Sequence, residues 1–206
     1  MEIVVLAKDG IYDLLQTTDQ DIILKFTDTT DSFFDYKSGD AYFDLRENAN
    51  EDYSSITKPV FINCMEATLV ENNHHKNIIR INAWPGFIET DLWEIAGEVS
   101  PEAVEVLQRL HKKYITVPDV PGFVSARIIA MIINEAYYAK DEAVSTEADI
   151  DIALKLGTNY PYGPFEWCKK IGEQQVYALL QKLSLTDERF LPSAGLKAAN
   201  KNIEWL

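Results

Sequence analysis

The stretch after Pro121-Gly122 most constrains the fold. It runs from Phe123 to Lys140 without a Gly or Pro, and its middle is strongly apolar: Ile128, Ile129, Met131, Ile132 and Ile133. A helix that is apolar on nearly every side belongs inside a core or a subunit interface. The sequence therefore predicts a long helix from Phe123 to Ala139 at the centre of a helical domain.

Helix start and stop signals follow this stretch. Thr146 and Asp149 have the spacing of a capping box, in which the hydroxyl and the acid satisfy backbone amides at the start of a helix. Gly157 is a candidate left-handed terminator for that helix. Pro164 suits the first position of a third helix, and Gly172 would end it. These signals predict a run of consecutive helices in the second half of the chain.

The first half contains short apolar runs typical of buried strands: Ile3–Ala7, Ile22–Phe26, Ala41–Leu45, Pro59–Cys64, Ile78–Ala83 and Tyr114–Val117. Little helical periodicity lies between the third, fourth and fifth of these runs. A later helix has Ser100 as its N-cap and Pro101 at its first position. We therefore predict a trimmed α/β domain over residues 1–118 and an all-helical domain over 119–206, with the boundary near Asp119.

Composition and charge exclude several classes of partner. The formal net charge is -14, which disfavours the phosphate backbone of nucleic acid. No run approaches the roughly eighteen apolar residues of a membrane span, and the two cysteines fit a reducing compartment, so a cytoplasmic location is expected. His74 and His75 are adjacent, and adjacent residues do not face one site, so no metal site is expected.

The helical half resembles a known family. It contains several short motifs that resemble those of the C-terminal domain of the 3-hydroxyacyl-CoA dehydrogenases, in the same order. These motifs are Pro121-Gly122-Phe123, Asn134-Glu135-Ala136, Ala148-Asp149-Ile150-Asp151, Leu156-Gly157 and Tyr160-Pro161-Tyr162-Gly163-Pro164-Phe165-Glu166. The resemblance implies a Rossmann-like parallel sheet before the helical domain. It also implies an acyl-CoA ligand, and a homodimer formed through the helical domain.

The family's cofactor motif is absent. Its first strand leads into a glycine-rich loop whose backbone approaches the diphosphate of NAD, but here that strand is followed by Lys8-Asp9-Gly10. One glycine cannot replace three, and a simple turn into a short helix through Leu15 is the expected structure. Asp28 matches loosely the acid that holds the cofactor ribose. We therefore expect no cofactor, and NAD only if the chain is an active enzyme.

The family's catalytic groups can be sought at matching positions. The resemblance implies a His base oriented by a Glu, with a Ser and an Asn that bind the substrate oxygen. The Ser matches Met65, the His matches Asn82, the Asn matches Ala126, and the Glu is retained as Glu94. A thioether donates no hydrogen bond, and an amide does not titrate near neutral pH. Asn82 and Glu94 are the remaining candidate catalytic residues.

These losses favour a degenerate relative of the 3-hydroxyacyl-CoA dehydrogenases that acts in fatty-acid or acyl-CoA metabolism as a binding or assembly subunit. The alternative is an active NAD-dependent 3-hydroxyacyl-CoA oxidoreductase with a site rebuilt around Glu94 and Asn82. A third hypothesis is an acyl-CoA binder with non-redox chemistry. Cofactor binding separates the first two, because an oxidoreductase must have replaced the glycine loop.

Overall fold

A computed structural model describes residues 1–8, 15, 17, 19–72 and 75–201 of the chain. These residues form two compact units, Met1–Phe123 and Val124–Leu206. The division falls a few residues after the domain boundary predicted near Asp119, and that boundary stays a prediction. The predicted turn at Asp9-Gly10 lies outside the described residues, as does His74.

The first unit is built on a seven-stranded sheet with the order β2-β1-β3-β4-β5-β6-β7. Neighbouring strands are parallel, except that β6 runs antiparallel to β5. The predicted Rossmann-like parallel sheet is therefore confirmed, and this one pair is its exception. The strands are β1 (Glu2–Leu6), β2 (Ile23–Thr27), β3 (Ala41–Asp44), β4 (Val60–Ile62), β5 (Ile78–Ile81), β6 (Leu92–Ala96) and β7 (Lys113–Thr116).

Both faces of the central strands are buried, as expected for parallel strands covered on each side. Ile3 and Val5 of β1 lie in one apolar cluster, which the helix α2 (Pro101–Arg109) completes with Val106 and Leu107. The alternate residues of the same strand, Val4 and Leu6, lie in a second cluster on the other face. This explains why the strands are continuous apolar runs in the sequence.

The connections between the parallel strands are short. From β1 to β5 the described residues contain one helix, α1 (Thr30–Asp35), which buries Phe33 against the second cluster. Sequence reasoning missed α1 because six residues carry too little periodicity to recognise. It also missed β6, whose polar Glu94 interrupts the apolar run. The trimmed sheet is confirmed, and the connection from β3 to β4 is a loop rather than a crossover helix.

The second unit is entirely helical in its regular structure. It contains α3 (Ser125–Asp141), α4 (Glu147–Thr158), α5 (Pro164–Ile171), α6 (Glu173–Ser184), a short 3-10 turn (Glu188–Phe190) and α7 (Ala194–Lys201). The long helix α3 packs against α5, α6 and α7, and buries Ile129, Ala130 and Ile133 among them. The predicted central helix is confirmed. Sequence reasoning missed α7, because its apolar residues are few.

Polar side chains fix the ends of these helices. The buried Asp151 of α4 accepts hydrogen bonds from the amides of Phe165 (2.8 Å) and Glu166 (3.2 Å) and so caps α5. Gly163 lies directly before α5, where an added Cβ would overlap the Asp151 carboxylate. The two helices are therefore held together by a carboxylate rather than by an apolar seam.

Two details of the predicted helix ends can be checked. Thr146 caps α4 as predicted, because its hydroxyl oxygen accepts from the Asp149 amide (3.2 Å). The Asp149 carboxylate was expected to accept from a backbone amide, but it accepts from the Thr146 hydroxyl instead (2.7 Å). The prediction that Gly157 ends α4 is wrong, because Gly157 lies within the helix. The residue that takes the left-handed conformation after the helix is Asn159 (φ 58°). Asparagine tolerates that conformation better than most residues.

Candidate functional site

The carboxyl ends of β1 to β5 meet at one edge of the sheet, because these strands are parallel. Ligands of open α/β sheets bind at this edge. The residues that follow the strands there include Asp28 after β2, Met65 after β4 and Asn82 after β5. The sheet therefore brings the candidate residues of the first unit to one edge, although not to one point on it.

Asn82 and Glu94 lie beside each other. The antiparallel register pairs Ile81 with Ile95, and the Asn82 amide donates to the Glu94 carbonyl (3.4 Å), so these two residues are opposite one another. Ile81 and Ile95 both belong to the first apolar cluster, which places the Asn82 and Glu94 side chains on the other face of the sheet. Cβ atoms of directly opposed residues are about 5 Å apart. The positions of the family's His and Glu thus meet in this structure.

The Asn82 side chain is buried, with 4% of its surface exposed. Its Oδ1 accepts from the Trp84 amide (3.2 Å), which fixes the orientation of the carboxamide. Its Nδ2 has no hydrogen-bond partner among the described residues. A buried donor without an acceptor costs about 1–3 kcal/mol. The structure therefore holds a fixed N–H donor at this position that protein groups do not use.

Met65, which matches the family's oxygen-binding Ser, is 2% exposed. It is held through its backbone: its amide donates to Asn48 Oδ1 (3.4 Å), and its carbonyl accepts from Gly122 (2.8 Å). The neighbouring Cys64 is buried, and burial raises the pKa of its thiol. Neither side chain offers a hydrogen-bond donor or a nucleophile suited to the family's chemistry.

Ala126, which matches the substrate-binding Asn, is fully buried in α3 of the second unit. Its neighbour Arg127 lies over the ring of Phe190, with 5.5 Å from the guanidinium carbon to the ring centroid. The Arg127 Nε is buried and has no hydrogen-bond partner among the described residues. A methyl group at residue 126 offers no hydrogen bond to a substrate oxygen.

A cluster of charges that sequence reasoning missed lies after β3. Asp44, the last residue of that strand, is fully buried and accepts from Arg46 Nε (3.0 Å), Arg46 Nη2 (2.7 Å) and the Tyr53 hydroxyl (2.8 Å). Arg46 also donates to Glu51 (2.9 Å) and to Thr30 (3.1 Å). An acid at the end of a buried strand, with an arginine two residues later, was the available signal.

The cluster changes the ionisation of its members. The hydrogen bonds and charge of Asp44 raise the pKa of the Arg46 guanidinium above its ordinary value. Burial, followed by the Asp44 charge, raises the pKa of Tyr53. Arg46 therefore stays protonated and Tyr53 stays neutral at all physiological pH values.

The edge of the sheet does not fit the diphosphate of a dinucleotide. The strand order reverses between β1 and β3, which is where such folds place the cofactor. The charges of this cluster there are two carboxylates, Asp44 and Glu51, against one guanidinium, Arg46. Asp28 follows β2 as predicted, but on the outermost strand. Its role as a ribose ligand stays a prediction.

No group of three or more His, Cys, Asp or Glu side chains in the described part of the chain is arranged to hold a metal ion. Cys64 and Cys168 are both free and buried. Across the described ranges, no helix is long and apolar enough to cross a membrane.

Comparison with known proteins supplies the family. Residues 122–202 match the family model of the 3-hydroxyacyl-CoA dehydrogenase C-terminal domain. The helical domain of this chain is therefore similar to the C-terminal domain of this family. The 3-hydroxyadipyl-CoA dehydrogenase of Escherichia coli K12 is 39% identical over 109 residues, which are 50% of this chain and 23% of that protein. A probable 3-hydroxybutyryl-CoA dehydrogenase of Deinococcus radiodurans is 33% identical over 51% of this chain and 38% of its own length.

Solved structures agree. The crystal structure of 3-hydroxybutyryl-CoA dehydrogenase from Escherichia coli K12 superposes with a TM-score of 0.60 at 30% identity, covering 69% of this chain and 31% of that one. That of (S)-3-hydroxybutyryl-CoA dehydrogenase from Ralstonia eutropha has a TM-score of 0.63, covering 85% and 69% at 22% identity, which supports the fold alone. The expected family and fold class are confirmed. The matches span about a quarter to two fifths of the two curated relatives.

Proposed function

We propose that this protein is a catalytically degenerate relative of the 3-hydroxyacyl-CoA dehydrogenases that binds an acyl thioester of coenzyme A without oxidising or reducing it. The observation that carries the proposal is the pairing of Asn82 with Glu94. The carboxylate position is kept, and the partner position holds a side chain that can donate a hydrogen bond but cannot take up a proton near neutral pH.

The Asn82 donor supports binding of a carbonyl oxygen. The Asn82 Nδ2 is buried, oriented by the Trp84 amide, and without an acceptor among the described residues. A thioester or β-keto oxygen supplied by a ligand would satisfy it. Hydride transfer would also need a base for the hydroxyl proton, and an amide cannot perform that step.

The test is a fluorescence titration with acetoacetyl-CoA, using free coenzyme A as the matched ligand. The buried Trp84 lies two residues from Asn82 and reports on the site. We expect saturable binding of acetoacetyl-CoA, and about a tenfold loss of affinity in Asn82→Ala, since one hydrogen bond contributes about 1.4 kcal/mol or less. Free coenzyme A lacks the acyl oxygens, so its affinity should be the same in both proteins. An equal affinity of wild type and variant for acetoacetyl-CoA would contradict the proposal.

We propose in addition that the helical units of two copies form a homodimer. Helix α4 supports this because its burial is inverted: its one buried side chain is Asp151, whereas Ile152 is 52% exposed and Leu156 is 83% exposed. By contrast, most apolar side chains of α3, which first suggested an interface, are buried within their own unit. The surface for a partner is therefore on α4.

A groove beside the same face supports a second copy as the occupant. It has a volume of about 370 Å³, and apolar side chains of α3 and α4 form most of its wall, among them Ile132, Ala136, Ile150 and Leu154. Helical periodicity places Leu156 and Ile152 next to the groove side of α4. One helix thus carries both protruding apolar side chains and a groove that could receive them, as a two-fold symmetric interface requires.

Light scattering coupled to size exclusion would test the dimer. We expect a dimer of the wild type at micromolar concentration and a monomer for Leu156→Glu. Leu185→Glu is the matched control, because Leu185 is 78% exposed but follows α6, away from this face. A wild-type monomer, or a Leu156→Glu protein that is still a dimer, would contradict this interface.

A cytoplasmic location belongs to the same proposal. Both cysteines are free thiols in the structure, as a reducing compartment would keep them. Cell fractionation with a tagged chain checks this, and recovery in a secreted or membrane fraction would contradict it.

A further inference from the structure

The cluster around Asp44 lies where the fold would hold a dinucleotide. In the strand order, β2 and β3 are the two neighbours of β1. Arg46 follows β3 and Thr30 follows β2, and the hydrogen bond between them (3.1 Å) joins the two segments that flank the end of β1. The Asn63 side chain, after β4, also donates to the Arg46 carbonyl (3.4 Å). The end of the strand that should lead to the cofactor is therefore bracketed by the chain's own contacts.

The guanidinium at this point has little capacity left for a phosphate. Arg46 donates through Nε to Asp44, through Nη2 to Asp44 and Glu51, and through Nη1 to Thr30. These bonds use all but one of its N–H donors. With two carboxylates bound to one guanidinium, the local charge is negative, and a diphosphate would have to compete with Glu51 and face Asp44.

From this geometry we infer that Arg46, bound to Asp44 and Glu51, closes the dinucleotide site of the sheet with the chain's own charges. The charges of the cluster satisfy one another, so this point offers no free cation to a cofactor's diphosphate. We therefore expect NAD(H) to gain no affinity from the charged side chains described between β1 and β3.

Equilibrium dialysis against NADH tests the inference on the whole chain. We expect no retention of NADH at millimolar concentration, and no rise in melting temperature, because a ligand stabilises only to the extent that it binds the folded state. Stoichiometric retention of NADH by the wild type would overturn the inference. Failure of the acyl-thioester proposal would look different. In the absence of NADH, acetoacetyl-CoA would then either not bind or bind equally well to wild type and Asn82→Ala.

Two variants test whether the cluster is what closes the site. Arg46→Met leaves Asp44 buried without its cation, and we expect the melting temperature to fall by about 5 °C or more. The matched pair is Glu51→Gln and Glu47→Gln: each removes one acid from the same loop, but Glu51 accepts a hydrogen bond from the Arg46 guanidinium, whereas Glu47 is exposed. Glu51→Gln should gain weak NADH retention, or lower the melting temperature, more than Glu47→Gln does. An unchanged Arg46→Met protein, or equal behaviour of the two glutamine variants, would contradict the role of the cluster.

Discussion

The carboxyl edge of the sheet has two regions that differ in whether their buried polar groups have hydrogen-bond partners. Beyond β3, Asp44, Arg46 and Glu51 satisfy one another, and Asp44 is fully buried. Beyond β5, Asn82 is also buried but keeps a donor without an acceptor among the described residues. A satisfied cluster leaves few groups for a ligand to bind, whereas an unused buried donor can gain a partner. The acyl ligand that we propose would therefore bind beside Asn82.

Replacing Asp44 should have the largest effect on stability. Asp44→Ala removes one acceptor from the Arg46 guanidinium and one from the buried Tyr53 hydroxyl. Breaking a buried ion pair by removing one partner costs about 3–5 kcal/mol. Urea unfolding followed by circular dichroism measures it. Glu47→Ala, at an exposed position nearby, is the control, and a loss for Asp44→Ala no larger than that control would remove the distinction between the two regions.

Replacing Asn82 should cost much less. Asn82→Ala removes an acceptor from the Trp84 amide but also removes the unsatisfied Nδ2, so the two contributions oppose each other. We expect the free energy of unfolding to change by about 1 kcal/mol or less. The same urea experiment compares it with Asp44→Ala. A loss as large as that of Asp44→Ala would show that Asn82 is part of the fold's support rather than a free binding group.

The smallest expected effect is a pH dependence at Cys64, which follows β4 between the two regions. Burial raises the pKa of its thiol above the ordinary value. A thiol in the unfolded chain ionises near about pH 8.5, whereas the folded chain keeps its proton to higher pH. The unfolded state then binds fewer protons, so this contribution to stability is present below that pH and is lost as pH rises above it.

Urea titrations of wild type and Cys64→Ala over the alkaline range measure this contribution. The wild type should lose stability with rising pH more steeply than the variant. Parallel curves would mean that Cys64 is accessible to solvent, and the edge of the sheet between the two regions would then be open.

The fold could be predicted from the sequence where the signal was local. The apolar run of α3, the proline at the start of α5 and the β-branched strands each determine their element by composition and spacing. The matching of Asn82 with Glu94 came from the family resemblance, and their adjacency became visible only through the antiparallel β6, which the sequence did not reveal.

The cluster after β3 could not be predicted, because it joins residues from three segments. Arg46 reaches Thr30 and Glu51, which lie 16 and 5 residues away in the chain, and Tyr53 reaches Asp44 over 9 residues. Side-chain contacts of this kind depend on the strand order, which reverses at β1. Helix α4 itself was predicted, but its exposed apolar face could not be. Periodic apolar residues predict burial, whereas the side chain that anchors this helix is Asp151.

The measurement that tests the central claim most directly is the oxidation of NADH by acetoacetyl-CoA, followed by nicotinamide absorbance. Wild type, Asn82→His and an active 3-hydroxybutyryl-CoA dehydrogenase would be compared at equal concentration. We predict that only the active enzyme consumes NADH. Asn82→His restores the imidazole beside Glu94, but it leaves Arg46, Asp44 and Glu51 in place, so the cofactor site stays closed. Consumption of NADH by the wild type, lost in Glu94→Gln, would contradict the account and establish an oxidoreductase rebuilt around Glu94.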